Sequence, residues 1–354
     1  MMKKKVAIIF GGVSSEHEVS LKSAASVLRN LDKNRYEAVK IGISKSGRWL
    51  ETSASPEDIE SGGWIDCESN FPAFVSPDRE VHGIVRLKDG GAETVYIDAV
   101  FPVLHGRNGE DGSIQGLFQL AGIPFVGCPM LSSAVCMDKA VTNAMLDHMG
   151  IARSPWSQIS DLEINSFDSR AEDWEERFGY PMFVKPANAG SSVGISKVYD
   201  RAGLRAALDL AFKHDRKVII EKNIKGRELE VGVLGNDEPI ASLVGEIFPA
   251  NDFYDYDAKY LNAKSVTKVP ADITPSQQAF IQKTAVRAFM ALGCAGLSRV
   301  DFLMDSESGE IYLNELNTIP GFTNISMYAQ MFEASGISYS ELLDRLFELA
   351  LELG

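Results

Sequence analysis

The chain has 354 residues, 45% of them hydrophobic and 24% charged, with a formal net charge of −14. That is enough apolar material for a substantial core divided between two or three domains, and it excludes a disordered or fibrous chain. The acidic balance argues against nucleic acid or an anionic membrane as a partner, since either would demand a basic face.

The opening stretch "MMKKKVAIIFGG" sets three lysines before an apolar run, but the run from Val6 to Phe10 is too short for a signal-peptide core and ends in Gly-Gly. It predicts a first buried strand. Val19 to Leu31 predicts an amphipathic helix, "YEAVKIGIS" a strand, Glu51 to Asp98 irregular excursions with short strands, "IDAVFPVLHG" a strand and "GSIQGLFQLAG" a helix. This alternation predicts an N-terminal doubly wound α/β domain with a parallel sheet, residues 1–127, whose strand-end loops are open to ligands.

A helix across Ser132 to Met149 and strands at Pro181 to Pro186 and Val218 to Asn223 define a second unit, residues 128–225. A third, residues 226–354, carries the strands "ELEVGVLG", "PIASLVGEI", "LSRVDFLMD" and "EIYLNELN", a helix near Ser276 to Leu292 and another at the C-terminus. These two units read as α+β halves facing each other, and clefts between domains are where small-molecule sites usually lie. No apolar segment approaches the roughly 20 residues that span a bilayer. Cys67, Cys128, Cys136 and Cys294 are scattered, with no Cys-x-x-Cys pair, so reduced thiols in a cytoplasmic protein are expected.

Two stretches carry chemistry. In "FVKPANAGSSVGISKV", Phe183 to Val198, Lys185 precedes a Gly/Ser loop and a strand follows it. A Walker A motif has the opposite order, with lysine after the glycines and a helix at once. What remains is a flap between two strands, its N–H groups at Gly190, Ser191, Ser192 and Gly194 free to wrap phosphate oxygens and Lys185 adding a point charge. Taken alone, such a loop is more often a plain turn.

The second stretch is "SRVDFLMDSESGEIYLNELNTIPG", Ser298 to Gly321. Its "SESG" turn predicts a hairpin whose register sets Asp301 opposite Glu315 and Arg299 opposite Asn317, all on one face. Facing carboxylates repel unless a cation lies between them. Asp301, Glu315 and the Asn317 amide oxygen suit Mg²⁺, which takes few protein ligands and completes its octahedron with phosphate oxygens and water. The plain alternative is a solvated polar face on which Arg299 bridges the acids.

With these motifs in hand, the sequence resembles the ATP-grasp enzymes, and among them the D-alanine:D-alanine ligase family. The resemblance covers essentially the whole chain: "GGVSSEHEVSLKSA", "LHGRNGEDGSIQG", "MDK", the flap, "EKNIKGRELEVGVLG", "FYDYDAKY" and "NELNTIPGFT". It implies a two-part ATP-grasp fold after the N-terminal domain, ATP and two Mg²⁺ or Mn²⁺, D-alanine as substrate, and a homodimer.

By the same resemblance, Lys139 and Lys185 would contact the ATP phosphates, the flap around Ser191 and Ser192 would close over them, and Lys259 would belong to the ATP-binding set. Glu221, Asn223 and Ile224 would line the adenine, Glu228 would bind the ribose, and Asn314 would complete the nucleotide site. Asp301, Glu315 and Asn317 match the metal ligands. Glu16 matches the residue holding the first D-alanine ammonium, and His105 a histidine beside it, although helix N-terminal charge compensation and a satisfied strand-end histidine are plain alternatives. Arg299 and the Gly321 N–H match the oxyanion donors. Ser191 and Tyr260 would fasten the lid with Glu16, and Ser326 followed by Met327 would leave a small apolar pocket for a second D-alanine. The chain departs from many relatives at Ile319 and at Asn188-Ala189 in the flap, which bears on flap motion and not on the reaction.

Overall fold

A computed structural model of the chain describes residues 3–190, 193–248 and 266–354. The first strand, Lys4–Gly11, is wholly buried from Val6 to Phe10, as a strand covered on both faces must be. Its alternate side chains enter two cores. Val6, Ile8 and Phe10 pack with the helix His17–Asn30, whereas Ala7 and Ile9 pack with Phe118 and Ala121 of the helix Ser113–Ala121.

Tyr36–Ile43 and Ala99–Val103 flank this strand in parallel. The expected parallel sheet is therefore present, and antiparallel strands extend it. Trp49–Glu51, Phe71–Val75, Gly83–Lys88 and Gly91–Tyr96 follow one another outward from Tyr36–Ile43 to give seven strands. The short strands expected within Glu51 to Asp98 are thus the far half of the main sheet.

A second, antiparallel sheet runs in the order Ser196–Val198, Met182–Pro186, Lys217–Lys222, Trp156–Ser160. Helices Phe167–Phe178 and Arg201–Ala211 cover one face through Trp174, Leu204 and Leu208. The third sheet runs Val266–Lys268, Ile240–Phe248, Gly226–Gly235, Gly296–Asp305, Ile311–Asn317. Helix Pro275–Ala291 covers it with Ile281, Ala285 and Phe289.

The helix expected over Ser132 to Met149 is two helices, Met130–Met137 and Lys139–His148. Asp138 leaves the helical conformation, at φ −87° and ψ 98°, and its carboxylate accepts from the N–H groups of Ala140 and Val141. An N-cap in mid-segment restarts the helix and turns Lys139 toward the flap.

The last helix, Tyr339–Glu352, sends Leu342, Leu343, Leu346 and Phe347 into the core of the first sheet. Among the described residues no helix is long and apolar enough to cross a membrane. All four cysteines are free thiols.

Candidate active site

The hairpin register is the one the sequence predicts. Asp301 faces Glu315 and Arg299 faces Asn317, after which a bulge shifts Phe302 onto Leu313 and leaves Asn314 as the extra residue. On the other side of the same strand, Glu230 faces Asp301. Three carboxylates therefore stand abreast on adjacent strands, with one guanidinium among them.

Arg299 Nε lies 2.7 Å from Asp301 Oδ1 and Nη2 lies 2.7 Å from Oδ2, a bidentate fork, while Glu230 Oε2 is 3.2 Å from Nε. The Asn317 amide donates to Asp301 Oδ2 at 2.9 Å. Burial works against the Arg299 charge, but Asp301 and Glu230 outweigh it and hold the guanidinium above its ordinary range.

Among the described residues no group of three or more His, Cys, Asp or Glu is arranged to hold a metal. The donor set the register assembles is two carboxylates and an amide, with negative charge in excess of the one guanidinium. That set fits a hard divalent ion that keeps water and substrate oxygens in its shell. Asp301 Oδ1 accepts one hydrogen bond and Oδ2 two, so a cation there competes with Arg299 for the carboxylate.

Beside this row lies a cavity of about 610 Å³, lined among others by Glu16, His105, Arg299, Glu315, Gly321 and Ser326. Glu16 precedes the helix His17–Asn30, but its side chain makes no cap bond. The carboxylate turns inward against two backbones: a Cβ at Gly106 would meet Glu16 Oε2 at 2.5 Å, and one at Gly190 would meet it at 3.0 Å. Gly106 also holds φ +71°, so a side chain there would strain the backbone as well as displace the Glu16 carboxylate.

His105 is buried, with Nδ1 3.0 Å from the Ile319 carbonyl and Nε2 3.0 Å from Ser23 Oγ. These partners make Nδ1 the donor and Nε2 the acceptor. Burial, which outweighs the attraction of Glu16, lowers its pKa and keeps the ring neutral. The ring reaches the cavity, yet both nitrogens serve the protein by joining the first helix to the loop that carries Gly321. In that loop the Ser326 hydroxyl accepts from the Thr323 N–H at 2.9 Å and would lie 2.9 Å from a Cβ at Gly321.

The nucleotide residues form a second group. Lys185 Nζ is 2.6 Å from Glu221 Oε2, and both side chains are mostly buried. Burial works to lower the pKa of this lysine, but Glu221, with Glu315 and Glu228 beyond it, raises it above the ordinary value. Asn143 Nδ2 donates to the other Glu221 oxygen at 3.3 Å. Lys139 donates from Nζ to the Ala189 carbonyl at 2.7 Å, so it is tied to the base of the flap.

Asn188 is tied there too, through its N–H and its amide to Asp215 Oδ2 at 2.8 and 2.9 Å. The segment after Lys217–Lys222 carries Asn223 and Ile224 into Gly226–Gly235, where Glu228 stands beside Ile247 and Leu303. Met327 opens the helix Met327–Ala334 at the cavity wall. Ser191, Ser192, Lys259 and Tyr260, with the "FYDYDAKY" stretch, lie outside the described residues.

Three residues at the site escape sequence reasoning. Glu230 is legible only once the hairpin register is carried one strand further. Glu110 accepts from the Gly106 N–H at 3.2 Å and lines the cavity near Glu16; burial, then the Glu16 charge, raise its carboxyl well above the usual range. Asn143, on the helix capped by Asp138, has no pattern around it that marks its bond to Glu221.

Two family models match the chain: "D-ala D-ala ligase N-terminus" over residues 5–128 and "D-ala D-ala ligase C-terminus" over residues 145–348. A D-alanine-D-alanine ligase of Acetivibrio thermocellus is 48% identical over 99% of this chain and 96% of its own length. Among solved structures, the VanG D-Ala:D-Ser ligase from Enterococcus faecalis is 43% identical with a TM-score of 0.90, covering 99% of this chain and 100% of that one. The D-alanine-D-alanine ligase from Coxiella burnetii is 34% identical with a TM-score of 0.86, covering 100% of this chain and 95% of that one.

Proposed function

The chain belongs to the D-alanine:D-alanine ligase family, and from that premise we propose that it joins two D-alanine molecules at the expense of ATP, giving the dipeptide used in peptidoglycan precursors. The observation that carries the proposal is the juxtaposition of Glu16, Arg299 and the Gly321–Ser326 loop around one cavity whose wall is continuous with the Asp301–Glu315 row. An amino acid needs an anion for its ammonium and cations or N–H donors for its carboxylate, and these are both present. We read the chain as three units, 1–127, 128–225 and 226–354, with the last helix returned to the first core.

A carboxylate does not react with an amine at neutral pH because its oxygen is a poor leaving group. One carboxylate oxygen of the first D-alanine therefore attacks the γ-phosphorus of ATP, ADP departs, and an acyl phosphate forms. Lys139, Lys185 and the flap with Ser191 and Ser192 hold the phosphates in line. Asp301, Glu315 and Asn317 would hold two Mg²⁺ or Mn²⁺, whose charge neutralises the oxygens of the transferred group. Glu221, Asn223, Ile224, Glu228, Lys259 and Asn314 hold the rest of the nucleotide.

Glu16 fixes the ammonium of the first D-alanine, and buried His105 keeps the loop that bears Gly321 in register with it. The amine of the second D-alanine attacks the acyl carbon. Arg299 and the Gly321 N–H meet the developing oxyanion, a proton leaves the nitrogen, and collapse expels phosphate with the original carboxylate oxygen. Tyr260 and Ser191 close the lid, since the acyl phosphate survives only if water is excluded. A cytoplasmic homodimer is the setting this reading implies.

The VanG likeness gives a second reading specific weight, a D-serine acceptor. Ser326 is followed here by Met327, which leaves an apolar pocket suited to a methyl group. The test is ADP release with ATP, Mg²⁺ and D-alanine, followed by product masses when D-serine or D-lactate competes at equal concentration. D-alanyl-D-alanine should dominate; a product dominated by the serine dipeptide or the lactate ester would overturn the acceptor assignment.

A further inference from the structure

Arg299 has one Nε hydrogen and two carboxylates beside it. Asp301 Oδ1 lies 2.7 Å from Nε and Glu230 Oε2 lies 3.2 Å from it, while the second arm of the fork, Nη2, goes to Asp301 Oδ2. Glu230 sits directly across from Asp301 on the neighbouring strand and its side chain is 7% exposed. A carboxylate buried so deeply is costly unless a positive group answers it. Arg299 is that group, yet Asp301 alone would satisfy its fork.

The second acceptor has a use if Asp301 must also serve a cation. Asp301 Oδ2 already accepts from both Arg299 Nη2 and Asn317 Nδ2 and Oδ1 accepts from Arg299 Nε, so a divalent ion that takes this carboxylate competes with the guanidinium for it. With Asp301 as the sole holder, loading the metal would release Arg299 just when the oxyanion needs it. We propose that Glu230 is the standing anchor of Arg299: it takes over the Nε hydrogen as Asp301 turns to the cation, and so keeps the guanidinium aimed into the cavity. Glu230 is in these terms a positioning residue that acts through Arg299. What Arg299 meets in the cavity rests on the ligase reading; the anchoring itself does not.

The test is a double-mutant cycle of Glu230→Gln and Arg299→Lys with two readouts. One is kcat and KM for D-alanine and for ATP; the other is Mn²⁺ binding to the enzyme with ADP, followed by electron paramagnetic resonance. In the Arg299 background, Glu230→Gln should lower kcat/KM for D-alanine by about 10- to 100-fold, as removal of a supporting partner typically does. It should also weaken Mn²⁺, because Arg299 then clings to Asp301.

In the Arg299→Lys background both effects should largely vanish. Equal effects in the two backgrounds would show that Glu230 acts by its charge alone, and no effect in the first would show that it is idle; either result overturns the proposal. Melting temperatures are read first, and if Glu230→Gln does not fold, Glu230→Asp, which keeps the charge and shortens the reach, carries the same cycle. Absence of any D-alanine-dependent ADP release in the wild type would defeat the ligase reading, while the Mn²⁺ cycle would still decide the anchor.

Discussion

At the scale of single residues, function and stability are tied together most tightly at Lys185. Its ammonium lies against Glu221 in a mostly buried pair, so Lys185→Ala removes the proposed phosphate contact and also strands a carboxylate. Breaking a buried pair from one side costs about 3–5 kcal/mol. The variant should lose ATP use and melt well below wild type. Adding Glu221→Gln should restore much of the melting temperature without restoring activity; recovery of neither would mean that the pair is not the cause.

His105 gives a pH signature. Its pKa is lowered from the ordinary 6.5 by burial, so the unfolded chain binds a proton more readily than the folded one. The stability it confers is complete above 6.5 and is lost as pH falls from there through the depressed folded value. His105→Gln should cost stability at pH 8 and progressively less as the pH falls below 6.5, read as melting temperature against pH. A constant difference across that window would contradict a neutral buried ring.

The acidic residues were legible unevenly. Asp301, Glu315 and Asn317 follow from counting across one hairpin, because a strand register is a local rule. Glu230 acts from the next strand of the same sheet, Glu110 within a loop and Asn143 from a helix onto the second sheet, where one hairpin's register does not reach.

At the scale of elements, the hairpin Gly296–Asp305 and Ile311–Asn317 is the part the sequence describes best. Alternation and a turn fix which side chains share a face. The sequence does not reveal the bulge after Asp301 or the restart of the helix at Asp138, since a capping aspartate inside an apolar-periodic stretch looks like any helical aspartate until its φ and ψ are known. Asp138 also pairs with Lys217, so the cap fastens the second sheet to the helix that carries Lys139.

The hairpin makes its own prediction. Facing carboxylates cost energy that a cation would relieve, so Glu315→Gln should abolish turnover while leaving the metal-free protein as stable as wild type or more so. The measurements are ADP release and melting in a chelator. Normal turnover would remove Glu315 from the metal set, and a marked fall in metal-free melting would show that Glu315 is held by something other than a cation.

At the scale of the whole molecule, the cavity exists because three sheets meet. Glu16 and His105 come from the loops of the first sheet, Lys139 and the flap from the second unit, and Arg299, Glu315 and Gly321 from the third. The docking of the last helix on the first core, through Leu346 and Phe347, closes the arrangement. The sequence foretold the fold class and the three groups of strands, but the extension of the first sheet was hidden in the irregular stretch from Glu51 to Asp98. Its strands are short and half exposed, so their alternation is weak.

The ligase reading requires that a D-alanine carboxylate oxygen be phosphorylated before the peptide bond forms. D-alanine labelled with ¹⁸O in its carboxylate, incubated with the enzyme, ATP and Mg²⁺, tests it directly by the mass of the phosphate released. One ¹⁸O should appear in each phosphate, with ADP unlabelled and the other three ¹⁸O atoms retained in D-alanyl-D-alanine. Phosphate released without label, or released at the same rate without D-alanine, would contradict the acyl phosphate route.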